Sequence, residues 1–120
     1  MYKIYYYVED NWHPVLEFIQ NQYPKPRAKI ARAITLLKEH GFYVGGPFLK
    51  KVTGTKGLWE LRIKYSSSIY RILFFSYYQG EFVLLHGFVK ETAKLPPKEL
   101  KIALSRLKKF KKQRSYQNGT

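Results

Sequence analysis

Residues 58–75, LWELRIKYSSSIYRILFF, decide the fold. From Leu58 to Tyr65 apolar and charged side chains alternate, the period-two pattern of a strand with two unlike faces. Leu58, Glu60, Arg62 and Lys64 fall on one face, and Trp59, Leu61, Ile63 and Tyr65 on the other. Tyr65–Ser68 then supplies turn residues. From Ile69 to Ser76 the chain is apolar at almost every position, which predicts a central strand with a single charge, Arg71. A lone arginine in such a strand is costly unless it is paired or aimed into a cleft.

Working outward, Glu81–Val89 is a third strand, joined to the second through Gln79-Gly80, so the three form an antiparallel meander. Residues 48–52 suggest one further short strand. Upstream, YKIYYYV (2–8) is aromatic and β-branched and predicts a strand. Trp12, Val15, Leu16 and Ile19 mark an amphipathic helix over residues 12–22, with Asp10 or Asn11 as N-cap and Pro24-Lys25-Pro26 as its stop. A second helix is predicted over 28–39, with Ile30, Ala33, Ile34 and Leu37 on one stripe and Gly41 at its end. Pro96-Pro97 opens a last helix to about Lys112, whose apolar stripe is Leu100, Ala103, Leu104, Leu107 and Phe110. Residues 115–120 are expected to fray. The order β-α-α-β-β-β with a C-terminal helix predicts an α+β fold: a small antiparallel sheet with the helices on one face.

The 120 residues fit one domain, residues 1–120. With 45% hydrophobic and 18% aromatic residues, the chain can bury a core without staples. It has no cysteine, which excludes disulfides and thiolate metal sites and fits a reducing compartment. MYKIYYYVED lacks the pattern of a signal peptide, and no apolar run approaches the ~20 residues of a membrane span, so the expected location is cytoplasmic. Lys and Arg number 22 against 8 Asp and Glu, a net charge of +14. Solubility alone accounts for a magnitude of about 2 to 8 in a small domain. The surplus points to a polyanionic partner, a nucleic acid or an acidic protein.

If Arg71 shares a face with Arg62 and Lys64, three cations converge beside Glu60, a set suited to gripping a phosphodiester. Such charges on a strand face are also the ordinary composition of a solvated surface. His13, His40 and His86 are too far apart in sequence to suggest a metal site. His86, on the third strand with Leu84 and Phe88, is a candidate acid or base or a structural histidine. No nucleotide-binding glycine fingerprint is present. Lys101, Lys108, Lys109, Lys111 and Lys112 lie off the apolar stripe of the last helix and extend the basic surface.

Four segments in this order, GLWELRI (57–63), YRILFF (70–75), VLLHGFVKET (83–92) and PPKELKIALSRL (96–107), resemble the HigB-like, phage-associated branch of the RelE/ParE toxin superfamily. The resemblance runs from about Gly57 to Phe110 and implies a RelE-like fold. It implies the toxin of a type II toxin–antitoxin pair, a ribosome-dependent mRNA endonuclease that needs no metal or other cofactor. On the matching positions, Arg62, Lys64 and Arg71 would be the catalytic cations, with Arg71 stabilising the scissile phosphate, and Lys90 a further basic position. Glu60, His86 or Tyr116 would supply acid or base. The implied partners are mRNA on the ribosome, ribosomal RNA along the last helix, and a helix-turn-helix antitoxin of the HigA type. A ParE-like gyrase poison of the same fold and a non-catalytic nucleic-acid-binding domain are the alternatives.

Overall fold

The computed structural model describes residues 1–92 and 94–117, with side chains as far as Arg114. The elements are β1 (Lys3–Tyr6), α1 (Pro14–Gln20), α2 (Pro24–His40), β2 (Leu49–Lys51), β3 (Leu58–Tyr65), β4 (Ser68–Tyr78), β5 (Glu81–Lys90) and α3 (Pro97–Gln117). The fold is α+β. The strands lie in the order β1-β5-β4-β3-β2, so β4 is central, as its two apolar faces predict.

The sheet is mixed rather than antiparallel throughout, because β1 pairs in parallel with β5. Strand β1 reaches that edge through the two helices that follow it, and its own residues carry no signal of the partner.

The helices cover both faces of the sheet, not one. Val15 and Ile19 of α1 and Ile30, Ile34 and Leu37 of α2 pack on Leu61, Ile63, Tyr70, Ile72, Phe74 and Leu84. On the opposite face Ala103, Leu107 and Phe110 of α3 pack on Leu58, Leu73, Phe75, Val83 and Leu85. A strand that is apolar on both faces requires two covers, since either face left open would keep large side chains in water. The charged side chains of β3 therefore lie at the margin of a second core. Leu104 is 40% exposed and contributes little to it.

Proline sets both early helix starts. Pro24 and Pro26, predicted to end a helix, begin α2 four residues before the predicted start. In the first turn the missing N–H has no intrahelical partner to lose, and the fixed φ is already helical. Pro14 likewise opens α1, so His13 is the N-cap, while Asp10 and Asn11 take positive φ in the turn before it. Helix α3 runs to Gln117, past the predicted end and into residues expected to fray. Arg114 anchors it, with its guanidinium 5.3–5.6 Å from the rings of Tyr5, Tyr77 and Phe110. Residues 118–120 lie outside the described set. Among the described residues, no helix is long and apolar enough to cross a membrane.

Between β4 and β5 the register shifts: Leu73 pairs with His86 but Phe74 with Leu84, leaving Leu85 as a bulge. Leu85 and His86 consequently both lie on the α3 side, and His86 does not share a face with Leu84 as simple alternation predicts.

Gly87, two residues along, sits against the ring of Phe18, and a Cβ there would fall inside that ring's van der Waals envelope. Gly87→Ala should lower stability by about 1–3 kcal/mol in a urea titration, the usual cost of overpacking; an unchanged midpoint would show that α1 is free to shift.

Candidate active site and its cationic surround

Strand register assembles the site in three rows on one face of the sheet. Lys64, Ile69 and Lys90 form the first, Arg62, Arg71 and Phe88 the second, and Glu60, Leu73 and His86 the third. All six sequence-predicted catalytic candidates thus share one face, on three neighbouring strands. Lys50 of β2 lies opposite Glu60 and adds a cation that the sequence reading did not single out.

The centre is an ion triad. Glu60 Oε1 is 3.1 Å from Arg62 Nε and 3.9 Å from Arg71 Nε. Arg62 and Arg71 are directly opposed across the ladder, where like charges repel, and the carboxylate lies between them. Glu60 is 2% exposed, so it does not face freely outward as strand parity alone suggests, and Arg71 is fully buried beside it, as a charge in a central strand requires. Burial raises the Glu60 pKa above its ordinary value of 4.5, against the opposing pull of Arg71, Arg62 and Lys50. Burial lowers the Arg71 pKa, with Glu60 acting against that and Arg62 with it. A guanidinium stays charged regardless. Glu60 Oε1 accepts no well-aligned hydrogen bond from either arginine, which leaves it with capacity to accept a proton.

Arg71 also fastens the chain beyond β5. Nη1 donates to the Lys94 carbonyl at 3.0 Å, Nη2 donates to the Thr92 carbonyl, and the guanidinium lies 5.7 Å from the Phe88 ring centroid. Both terminal nitrogens are thereby committed to backbone. Arg62, with its side chain 20% exposed, is the arginine that reaches solvent. Two openings flank it. Glu60 lines a cavity of about 220 Å³ together with Lys50, Lys51, Thr53 and Lys94. Arg62 and Lys64 line another of about 350 Å³ with Ser66, Ser67, Ser68 and Glu91. Lys50, Lys64, Lys90 and Lys94 are all exposed, so cations surround the buried carboxylate.

His86 belongs to a different network. Its Nε2 is 2.7 Å from Glu99 Oε1, and Arg106 Nη1 is 3.2 Å from its Nδ1 while also donating to the Leu85 carbonyl at 2.9 Å. Since arginine only donates, Nδ1 accepts and the ring proton resides on Nε2, donated to Glu99. The imidazole stacks on Phe88 at 5.5 Å. It is a strut between β5 and α3, and burial lowers its pKa while the Glu99 hydrogen bond acts against this.

The five α3 lysines singled out in the sequence are exposed, but Lys109 pairs with Glu9 at 3.2 Å and Lys111 lies over the Phe75 ring at 5.0 Å. The Tyr116 side chain lies outside the described residues. Among those residues, no three His, Cys, Asp or Glu gather as metal ligands. Lys50, Phe88, Lys94 and the Thr92 carbonyl were not legible as site residues, because each enters through register or through the path of the chain after β5.

Comparison with protein-family models gives a match. The family model described as "Phage derived protein Gp49-like (DUF891)" covers residues 17–108, a span containing Glu60, Arg62, Lys64, Arg71, His86 and Lys90. No curated protein matches the chain.

Two outcomes follow from this geometry. Arg71→Met should cost about 3–5 kcal/mol in a denaturant titration, because it leaves the Glu60 charge buried without its innermost partner. Adding Glu60→Gln to that variant should recover part of the loss, and strict additivity of the two would disprove their coupling. For His86, a folded pKa below 6.5 means that its stabilising effect is complete above that pH and lost as pH falls through the folded value. The wild type should therefore lose stability relative to His86→Gln on acidification below about 6.5; parallel thermal melts across pH 5–7.5 would refute this by staying a constant distance apart.

Proposed function

The chain belongs to the Gp49-like family of phage-derived proteins, and from that premise we propose that it is the toxin of a type II toxin–antitoxin pair that cleaves mRNA on the ribosome. The observation that carries this reading is the buried Glu60 carboxylate between Arg62 and Arg71, ringed by exposed lysines.

The reaction that suits these groups is attack of a ribose 2′-hydroxyl on the adjacent phosphorus. The P–O5′ bond breaks, leaving a 2′,3′-cyclic phosphate on one fragment and a 5′-hydroxyl on the other. Glu60 accepts the 2′-hydroxyl proton; a pKa raised by burial brings a carboxylate closer to the range in which a general base works. Arg62 and Lys64 hold the phosphoryl oxygens as negative charge builds on them. Arg71 acts through others: it positions Glu60 and Arg62 and fixes the Thr92 and Lys94 carbonyls. Protonation of the leaving 5′-oxygen falls to one of the surrounding lysines or to water. His86 serves as a strut rather than as the acid, because both of its ring nitrogens are engaged by α3. The ribosome supplies the alignment of the RNA that a shallow site does not.

The +14 charge supports ribosomal RNA as a second contact, with Lys101, Lys108 and Lys112 among the α3 lysines outside the pairings above. The same charge supports an acidic, neutralising antitoxin, which we place in the helix-turn-helix HigA-type class. The working compartment is the cytoplasm, where ribosomes are.

The test is cell-free translation of a defined mRNA with purified protein, mapping new 5′ ends with and without ribosomes. Arg62→Ala should cut the cleavage rate about a hundredfold, the scale for losing one oxyanion donor. The rate of the wild type should rise with pH along a limb centred above 4.5, and Glu60→Gln should abolish that limb. A folded Arg62→Ala protein that cleaves at the wild-type rate would overturn the phosphate-holding role of Arg62; no cuts in any reaction would overturn the nuclease reading, and a gyrase supercoiling assay would come next.

A further inference from the structure

Lys64 borders three spaces, two of them on either side of it and the third between. On one side lies the opening it shares with Arg62 and the serine turn. On the other it lines a cavity of about 280 Å³ between α2 and β3. The lining of that cavity is apolar: Ala33 and Leu36 of α2, Val44 of the short turn after it, and Ile63 of β3. Its polar residues are three cations, Lys29, Arg32 and Lys64, and no carboxylate among the described residues lines it.

Phe48 forms part of the same wall and remains 46% exposed. It also borders a smaller cavity, about 190 Å³, lined by Arg62, Lys64 and Ile69. One aromatic ring therefore stands between an apolar box and the arginine of the candidate active site.

The ligand that matches these features has a flat, weakly polar body and a phosphate next to it. We infer that the cavity receives an unstacked nucleobase of the RNA substrate, flanking the phosphodiester held by Arg62 and Lys64. This inference rests on the RNA-cleavage reading above and adds how the site selects sequence. An aromatic face beside cations that track the backbone is the general arrangement by which single strands bind proteins. Continuity of the cavity with Arg62 through Phe48 and Lys64 favours a nucleobase over a peptide side chain. Among the described residues, the hydrogen-bonding side chains around the cavity are donors, Lys29, Arg32 and Lys64. Selection there works by stacking and buried area, which favours purines over pyrimidines without distinguishing adenine from guanine.

The probe is a single-stranded RNA hexamer carrying one 2-aminopurine, whose fluorescence falls when the base stacks. Wild-type protein should quench it. Phe48→Ala should abolish the quenching and weaken binding roughly tenfold, the scale of one lost base–aromatic stack, and Phe48→Tyr should restore both. Val44→Trp, which fills the box, should flatten any purine preference in the cleavage map while leaving the requirement for Arg62 intact; a circular-dichroism melt checks that each variant folds. Quenching that survives Phe48→Ala, with an unchanged purine preference, would overturn the inference even if cleavage is normal. Quenching by a wild type that cuts no RNA would keep the base pocket and remove the nuclease. An acidic peptide that binds the cavity while 2-aminopurine RNA stays unquenched would assign it to a protein partner and overturn the inference as well.

Discussion

The site depends on one buried charge. Arg71 sits in the middle strand of the sheet, out of contact with water, and a guanidinium there survives only if its charge and donors are met from within. Glu60 meets the charge, the Lys94 and Thr92 carbonyls accept from the two terminal nitrogens, and the Phe88 ring covers the cation. Each of these fixes something else. Holding Glu60 inward forces Arg62 into register beside it, and holding the two carbonyls determines where the chain crosses between β5 and α3. The strand, the ion triad and the approach to the last helix form one connected arrangement.

That arrangement also explains why a protein with so much positive charge keeps a carboxylate at its centre. An acid buried on its own would be neutral, and two arginines facing each other would repel. Together the two arginines oppose the neutralisation that burial favours in Glu60, while the lysines stay in solvent where their hydration is retained. The outcome is a positive rim around a carboxylate of raised pKa. His86 shows the contrast: it lies on the same face, yet Glu99 and Arg106 consume both of its nitrogens, and it joins two layers instead of facing a substrate.

Much of this was legible because period and composition are local properties. The alternation through Glu60, Arg62 and Lys64, the apolar run around Arg71, the turn at Ser66–Ser68 and the stripe ending at Phe110 each announce an element from a few neighbouring residues. The departures share a cause as well. Pro24 and Pro26 carry the same chemistry at the end of one helix as at the start of the next, and only packing selects between them. The position of His86 depends on a one-residue bulge at Leu85 that leaves no mark in the hydrophobic pattern.

By itself, then, the sequence determined the order of strands and helices, that β4 is interior, and that the chain carries a large positive surplus. These follow from side-chain period, from burial demanded on two faces, and from net charge, none of which requires knowing what lies nearby in space. The tertiary structure decided the rest. It set the parallel pairing of β1, the second helical cover by α3, the burial of Glu60, the commitment of Arg71 to backbone carbonyls, and the meeting of Phe48, Val44 and Ala33 around one cavity. These are contacts between residues distant in the chain, and their register and layering are fixed by the packing of whole elements, which no local pattern encodes.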